Sequence, residues 1–261
     1  MSMNIHFYKY QGTGNDFVIV DNRNGEYSQL TTAQIAHLCD RRFGIGADGL
    51  MMLENDPAYD FRMKYYNADG REGSMCGNGG RCLTAFARQM GIDKKDLRFI
   101  AVDGPHEASF RDNGWVNLKM QDVNTVEIGN MYFYLNTGSP HFVKFVSDVQ
   151  EVDVYQQGRE IRYNERFAAE GTNVNFVQEV DNGIFVRTYE RGVEDETYSC
   201  GTGVTAAALT AAPAEPGEYN IPVETLGGHL EITFTRTGER SFSDIWLCGP
   251  ATLVFEGNIK I

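Results

Sequence analysis

Two stretches decide the reading of this chain: Cys76-Gly77-Asn78-Gly79-Gly80 and Cys200-Gly201-Thr202-Gly203. Each sets a cysteine on a tight glycine turn, and each is followed by an apolar segment of helical character. The pattern predicts that both cysteines stand at helix N-termini. The backbone N–H groups there lack intrahelical partners, and with the positive end of the helix dipole they favour a thiolate. One such position suggests a reactive thiol. Two of them, in two halves of one chain, suggest a pair of thiols facing one substrate.

The halves echo each other elsewhere. Gly12-Thr13-Gly14-Asn15-Asp16-Phe17-Val18 resembles Gly171-Thr172-Asn173-Val174-Asn175-Phe176-Val177. Val102-Asp103-Gly104-Pro105-His106 trails the first cysteine helix, and Thr225-Leu226-Gly227-Gly228-His229 trails the second at a similar distance. The expectation is two structurally related α/β domains rather than a short-period solenoid, with the active site in the cleft between them.

Local signals fill in the elements. Ile5–Tyr10 and Phe17–Asp21 read as strands joined by the Gly12-Thr13-Gly14-Asn15 turn. Thr31-Thr32-Ala33-Gln34 is a capping-box pattern, and Ile35, Leu38 and Cys39 give the helix behind it one apolar face, with an end expected near Phe43-Gly44. This helix reads as an extra segment of the first half. Strands are expected over Gly49–Glu54 and Phe61–Asn67, then a helix after Cys76 that stops at Gly91. Leu97–Val102, His106–Phe110 and Val116–Met120 follow as strands. The second half predicts strands at Met131–Leu135, Phe142–Val146, Thr172–Glu179 and Ile184–Glu190. The helix after Cys200, rich in Ala206, Ala207 and Ala208, ends at Pro213 and reads as buried on most sides. Leu230–Thr235, Asp244–Leu247 and Ala251–Glu256 close the chain as strands.

The 261 residues are 42% hydrophobic, enough for a substantial core. A net charge of −13 argues against nucleic acid as a partner. Met1 to Tyr10 shows no signal-peptide pattern, and the most apolar run, Val204 to Ala214, is shorter than the roughly 20 residues of a membrane span. Five cysteines, Cys39, Cys76, Cys82, Cys200 and Cys248, do not form a disulfide framework, which suits a cytoplasmic protein. No C-x-x-C pair or nearby histidine points to a metal. The oligomeric state stays open, a homodimer included.

A thiol pair permits one demanding reaction. A thiolate on one face of a carbon removes its proton while a thiol on the other face returns one, which inverts the stereocentre without a cofactor. The weakly acidic α-proton of an amino acid requires that charge spread onto the neighbouring carboxylate. The backbone N–H groups of Gly77, Asn78, Gly201 and Thr202, at two helix N-termini, suit that anion.

With these motifs in place, the chain resembles the diaminopimelate epimerase family of pyridoxal-phosphate-independent amino acid epimerases. The carriers are Gly14-Asn15-Asp16-Phe17, Arg42-Phe43-Gly44-Ile45-Gly46-Ala47-Asp48-Gly49, Asn67-Ala68-Asp69-Gly70, the two cysteine turns, Gly104-Pro105-His106, Ser139-Pro140-His141 and Tyr189-Glu190-Arg191-Gly192. The resemblance implies epimerisation of LL-2,6-diaminopimelate to the meso form in lysine and peptidoglycan-precursor synthesis. It implies Cys76 and Cys200 as the acid/base pair, with Glu190 and His141 at the ammonium group and the acid/base network. Asn15, Asn67, Asn173 and Arg191 would hold the remote carboxylate, for which the planar fork of an arginine has its own physical reason. The implied fold is mixed α+β. It has two pseudo-symmetric domains, each a sheet wrapped around a central helix, over residues 1–120 with 249–261 and residues 121–248. Two departures stand out. Members often carry Asn-Pro-His where Ser139-Pro140-His141 stands, and some carry Gln where Gly49 stands.

Plainer readings compete. Cys39, Cys82 and Cys248 read as core residues. Gly44-Ile45-Gly46-Ala47-Asp48-Gly49 fits the dinucleotide fingerprint literally, but a helix precedes it and a strand-like run follows, the reverse of what that site needs. His106 and His229 read as locally bonded turn residues. Glu190-Arg191 alone would be a surface ion pair, and Asn15 alone a turn residue. Rival functions are a proline or hydroxyproline racemase, a thiol redox protein, and a non-catalytic amino-acid binder. An isomerase of the phenazine type is disfavoured because that branch lacks the cysteine pair.

Overall fold

The apolar runs Phe17-Val18-Ile19-Val20 and Leu50-Met51-Met52-Leu53 lack the alternation of a half-exposed strand, which predicts a sheet covered on both faces. The structure, a computed structural model that describes residues 3–261, bears this out. Met1 and Ser2, which open the stretch read for a targeting signal, lie outside the described residues. The chain divides into two compact units, Met1–Leu118 with Pro250–Ile261, and Lys119–Gly249.

In the first unit, β1 (Asn4–Gly12) turns back into β2 (Asn15–Asp21) through Thr13 and Gly14, both at positive φ, as a type I′ hairpin requires. Then come α1 (Thr32–Cys39), β3 (Gly49–Glu54), β4 (Phe61–Asn67) and α2 (Gly77–Gln89). β5 (Asp96–Ala101), β6 (Gly104–Phe110) and β7 (Val116–Lys119) follow, and β17 (Thr252–Lys260) returns to pair with β1. Side chains alternate across the sheet. Val18, Val20, Leu50 and Met52 pack with Ile35 and Leu38 of α1. Phe17, Met51 and Met63 lie on the other face, close to Gly79 of α2.

The second unit contains β8 (Val126–Ile128), β9 (Phe133–Asn136), β10 (Pro140–Phe145), α3 (Val154–Arg162), β11 (Asn173–Val180) and β12 (Gly183–Glu190). It continues through β13 (Asp195–Thr197), α4 (Gly201–Ala211), β14 (Gly217–Thr225), β15 (Gly228–Gly238) and β16 (Ser241–Gly249). α4 packs on β9, β10, β11, β12, β14, β15 and β16, and its Val204, Ala206, Ala207, Ala208 and Leu209 are buried. Small residues let the sheet close around it.

The two units share one topology. In the first, β17–β1 and β1–β2 are antiparallel, β2–β3 parallel, β3–β4 antiparallel, β4–β5 parallel, and β5–β6 and β6–β7 antiparallel. In the second, β8–β9–β10–β11–β12–β14–β15–β16 repeat that sequence of directions step for step. Two structurally related α/β units, each with a central helix, are thus found as expected.

The structure corrects four expectations. The sequence echo between Gly12–Val18 and Gly171–Val177 is not the structural correspondence. Asn15 opens β2, whose counterpart is β10, next to Ser139-Pro140. Asn173 opens β11, whose counterpart is β3, opened by Gly49. The extra helix of the first half is not extra either, because α3 fills the same place in the second. Its sequence hid it: only Val154 and Gly158 are buried, though Asp153 caps it by accepting from Gln156 N–H (2.9 Å). α1 ends at Cys39, not near Phe43, since the Asp40 carboxylate accepts from the N–H groups of Arg42 and Phe43 (both 2.7 Å) and turns the chain. His229 lies in β15 rather than in a turn, and His106 lies in β6, as its strand reading but not its turn reading expects. His106 does bond locally, to Asp103 (3.1 Å), and stacks on Phe99. Among the described residues no helix is long and apolar enough to cross a membrane.

Gly158 is where α3 meets β12, because a Cβ there would collide with the buried side chain of Tyr189. Replacing Gly158 with Ala should destabilise the protein by roughly 1–3 kcal/mol, the usual cost of overpacking, read as a lower midpoint in thermal or urea denaturation.

Candidate active site

In the first unit Cys76 is the N-cap residue of α2, with extended backbone (φ −100, ψ 132). Helical bonding begins at Gly80 N–H to Cys76 C=O (2.7 Å), so the N–H groups of Gly77, Asn78 and Gly79 form the open end of the helix. The hairpin turn brings Asn15 beside it: the Cys76 thiol donates to Asn15 Oδ1 (3.4 Å), and Asn78 Nδ2 donates to the same oxygen (3.3 Å). Asn15 Nδ2 donates in turn to Asp48 Oδ2 (2.6 Å). Arg81, fully buried one turn into α2, donates to Asn78 Oδ1 (3.1 Å) and Thr13 Oγ1 (3.3 Å). Asn67 ends β4 opposite Gly49, and its side chain is exposed.

Gly49 has a steric reason. A Cβ there would lie 2.5 Å from the Tyr66 carbonyl oxygen and 2.6 Å from the Tyr65 ring. The Tyr65 phenol fills the space that a side chain at position 49 would take, so a larger residue has no room here.

In the second unit Cys200 is the N-cap of α4 (φ −112, ψ 111), 7% exposed, with Val204 N–H bonded to its C=O (2.9 Å). Its sulfur lies 3.5 Å from Thr202 Oγ1. The β10–β11 pairing sets His141 opposite Asn173. Asn173 is a hub: its Nδ2 donates to Ser139 Oγ (2.9 Å) and Pro140 C=O (3.0 Å), and its Oδ1 accepts from Arg191 N–H (2.9 Å). The Arg191 guanidinium donates to Glu170 C=O (2.9 Å) and to Ser139 Oγ (3.4 Å). Ser139 therefore reaches the asparagine and the arginine despite its short side chain, and with both oxygen lone pairs engaged its own proton is left to donate. Glu190 closes β12 and accepts from Thr197 Oγ1 (2.8 Å).

His141 is buried completely, and its protonation state can be read from its neighbours. Asn175 Nδ2 donates to Phe142 C=O (3.0 Å) and to His141 Nδ1 (3.1 Å), while Asn175 Oδ1 accepts from Thr188 Oγ1 (2.9 Å). That fixes the amide, makes Nδ1 an acceptor and puts the ring proton on Nε2. Nε2 has no hydrogen-bond partner among the described residues. Burial, with the Arg191 charge, lowers the imidazole to about 3, against the smaller opposing effect of Asn175. This histidine is neutral at physiological pH. Cys39 and Cys82 are pushed up to about 12 by burial, as inert core thiols should be, and Cys248 is buried as well.

The fold thus gathers Cys76, Asn15 and Asn78 in one unit, and Ser139, Asn173 and Arg191 in the other. Sequence reasoning missed Asp48 and Arg81, which hold Asn15 and Asn78, and Asn175, Thr188 and Thr197, which hold His141 and Glu190. Asp48 stood in a quoted motif, but its bond to Asn15 crosses from the loop before β3 to the start of β2. The Gly44–Gly49 stretch runs into strand β3, not into the helix a dinucleotide site needs.

The family model for diaminopimelate epimerase matches residues 7–126 and 133–254. The chain belongs to the diaminopimelate epimerase family. A diaminopimelate epimerase of Flavobacterium psychrophilum is 50% identical over 97% of this chain and 99% of its own length. That of Chlorobaculum tepidum is 40% identical over 96% and 99%. Solved structures share the fold at low identity. A PhzF-family phenazine biosynthesis protein of Bacillus anthracis has TM-score 0.77 at 15% identity, covering 98% of this chain and 99% of that one. A hydroxyproline epimerase of Agrobacterium vitis has TM-score 0.67 at 14% identity, covering 99% and 93%. The racemase reading rests on fold alone and is not favoured over the epimerase family.

For this family member the neutral His141 carries a stability signature. Its folded value lies below the unfolded value near 6.5, so the unfolded chain binds the extra proton. The resulting stability is complete above about pH 6.5 and is lost as pH falls from there toward 3. Unfolding free energies from urea titrations between pH 4 and 7 should fall with acidification more steeply in the wild type than in His141→Gln, by up to about 1.4 kcal/mol per pH unit.

Proposed function

We propose that this protein interconverts LL- and meso-2,6-diaminopimelate by moving one α-proton between two cysteine sulfurs. The observation that carries this reading is that Cys76 and Cys200 occupy the same place in two copies of one topology, each as the N-cap of a central helix. In one direction a thiolate takes the α-proton: the C–H bond breaks, an S–H bond forms, and the electron pair passes into the carboxylate. A thiol on the far face then donates its proton to the carbon and is left as the thiolate. The next turnover in reverse restores the first state, so no external oxidant or base is consumed. Two sulfurs are required, since one base returns the proton to the side it came from.

The N–H groups of Gly77, Asn78, Gly201 and Thr202 would hold the reacting carboxylate where its charge grows, which lowers the barrier most in a site that excludes water. Glu190, steadied by Thr197, suits the ammonium group. His141, neutral and with Nε2–H as donor, suits hydrogen bonding to an acceptor rather than acting as a cation. Arg191, with Ser139 and the Asn173 hub behind it, suits the distal carboxylate, and Asn67 and Asn15 the rest of that second amino-acid head. A molecule with one carboxylate, such as proline, would leave that cluster idle. The role belongs to lysine and peptidoglycan-precursor synthesis, and a pair of reduced thiols suits the cytoplasm.

Incubation with LL-diaminopimelate in heavy water should give meso product with deuterium at the inverted carbon, read by chiral chromatography with mass spectrometry. Cys76→Ser and Cys200→Ser should each lose epimerisation by orders of magnitude, because an alcohol is a far weaker acid than a thiol. Near-full rate in either variant, or equal turnover of proline, would sink the two-thiol reading.

A further inference from the structure

Asn15 is held at both ends of its amide. Its Nδ2 donates to Asp48 Oδ2 (2.6 Å), and its Oδ1 accepts from Asn78 Nδ2 (3.3 Å) and Cys76 Sγ (3.4 Å). Asn78 is oriented too, since Arg81 donates to its Oδ1 (3.1 Å). An amide has a donor end and an acceptor end, and its direction follows from its partners. A carboxylate only accepts and a guanidinium only donates. Asp48 at one end and Arg81 at the other therefore fix both amides, and the two constraints agree: the carbonyl oxygen of Asn15 faces the Cys76 sulfur. Asp48 is itself anchored, by Arg41 Nη2 (2.7 Å) and by Asp16 N–H (3.2 Å), and Arg41 also binds the Asp16 carboxylate (2.7 and 3.0 Å).

We propose that Asp48 is a positioning residue for Cys76: by holding the Asn15 amide it keeps a carbonyl acceptor on the sulfur, so that Cys76 rests as a thiol in the substrate-free protein. The proposal deepens the epimerase reading and rests on Cys76 belonging to the acid/base pair. A thiol donates to a carbonyl oxygen, whereas a thiolate is repelled by it and drawn to an N–H. Without the Asp48 carboxylate the Asn15 amide loses the stronger of the two constraints on its direction, the other being Asn78 Nδ2 held by Arg81, so its oxygen is held less firmly on the sulfur. Other charged and titratable groups at this corner include Lys9 on β1, Asp16 on β2, Arg41 after α1, and Arg81 and Cys82 on α2. None of them is altered in the variants below.

The test is the pH dependence of Cys76 alkylation by iodoacetamide in the substrate-free full chain, resolved by peptide mass spectrometry. Labelling needs no substrate, so its outcome is separate from the deuterium experiment that tests the epimerase reading. In Asp48→Asn the labelling midpoint should move down by about one pH unit, giving about tenfold faster labelling below it, while the plateau at high pH stays as in the wild type. In Asn15→Ala, which removes the acceptor and keeps Asp48, the midpoint should also fall. Adding Asp48→Asn to Asn15→Ala should then shift it no further. An unmoved or raised midpoint in either single variant overturns the proposal. So does a higher plateau with an unmoved midpoint, which reports exposure only. A full Asp48→Asn shift that survives in the Asn15→Ala background means that the carboxylate acts by its charge and not through the amide, and overturns it as well.

Discussion

Both halves of this protein depend on where a buried helix is allowed to begin. A helix enclosed by its own sheet can satisfy its interior backbone, but the N–H groups of its first turn have no carbonyl before them. In each unit that first turn is Cys-Gly-x-Gly, capped by the cysteine, and lies at the end of the sheet where β2 or β10 starts. One local geometry therefore does three things. It points N–H groups where an anion would be met, sets the sulfur beside the positive end of the helix dipole, and, through its small residues, leaves the backbone open to close approach. The chemistry follows from the packing requirement rather than being added to it.

The parts of the fold legible in the sequence were those whose signal is local. β2 and β3 announced themselves as uninterrupted apolar runs, α1 by its capping box, and the two cysteine-capped helices by cysteine, glycine and small residues. α3 was not legible because it presents only Val154, Gly158 and part of Ile161 to the core, most of its other residues being polar. The likeness of Gly12–Val18 to Gly171–Val177 misled because similar turn chemistry recurs wherever a strand starts after a glycine. Only the order of parallel and antiparallel pairings shows that Asn15 answers to Ser139-Pro140 and Asn173 to Gly49.

The candidate site divides along the same line. Residues with a reactive or strongly polar end beside a glycine turn could be picked out one at a time. The residues that aim them could not, because their partners are distant in sequence: Asn175 meets His141 across the β10–β11 pairing, 34 positions away, and Asp48 meets Asn15 over 33. Buried amides of this kind carry little signal of their own. Their role is fixed only when both ends have partners, as the Thr188–Asn175–His141 and Arg81–Asn78–Asn15–Asp48 chains show.

A duplicated fold also poses a problem that these side chains answer. Two identical thiol sites would share one proton evenly, whereas a two-base reaction needs one sulfur protonated and the other ionised at the start of each turnover. The backbone cannot break that symmetry, since each cysteine caps a helix in nearly the same conformation. The neighbours can. Cys76 faces a carbonyl oxygen held in place by a carboxylate, and Cys200 faces the hydroxyl of Thr202, which is able to donate to a thiolate. In the proposed two-thiol reaction, the different fillings of equivalent positions, Asn15 against Ser139-Pro140 and Gly49 against Asn173, would make one sulfur the acid and the other the base.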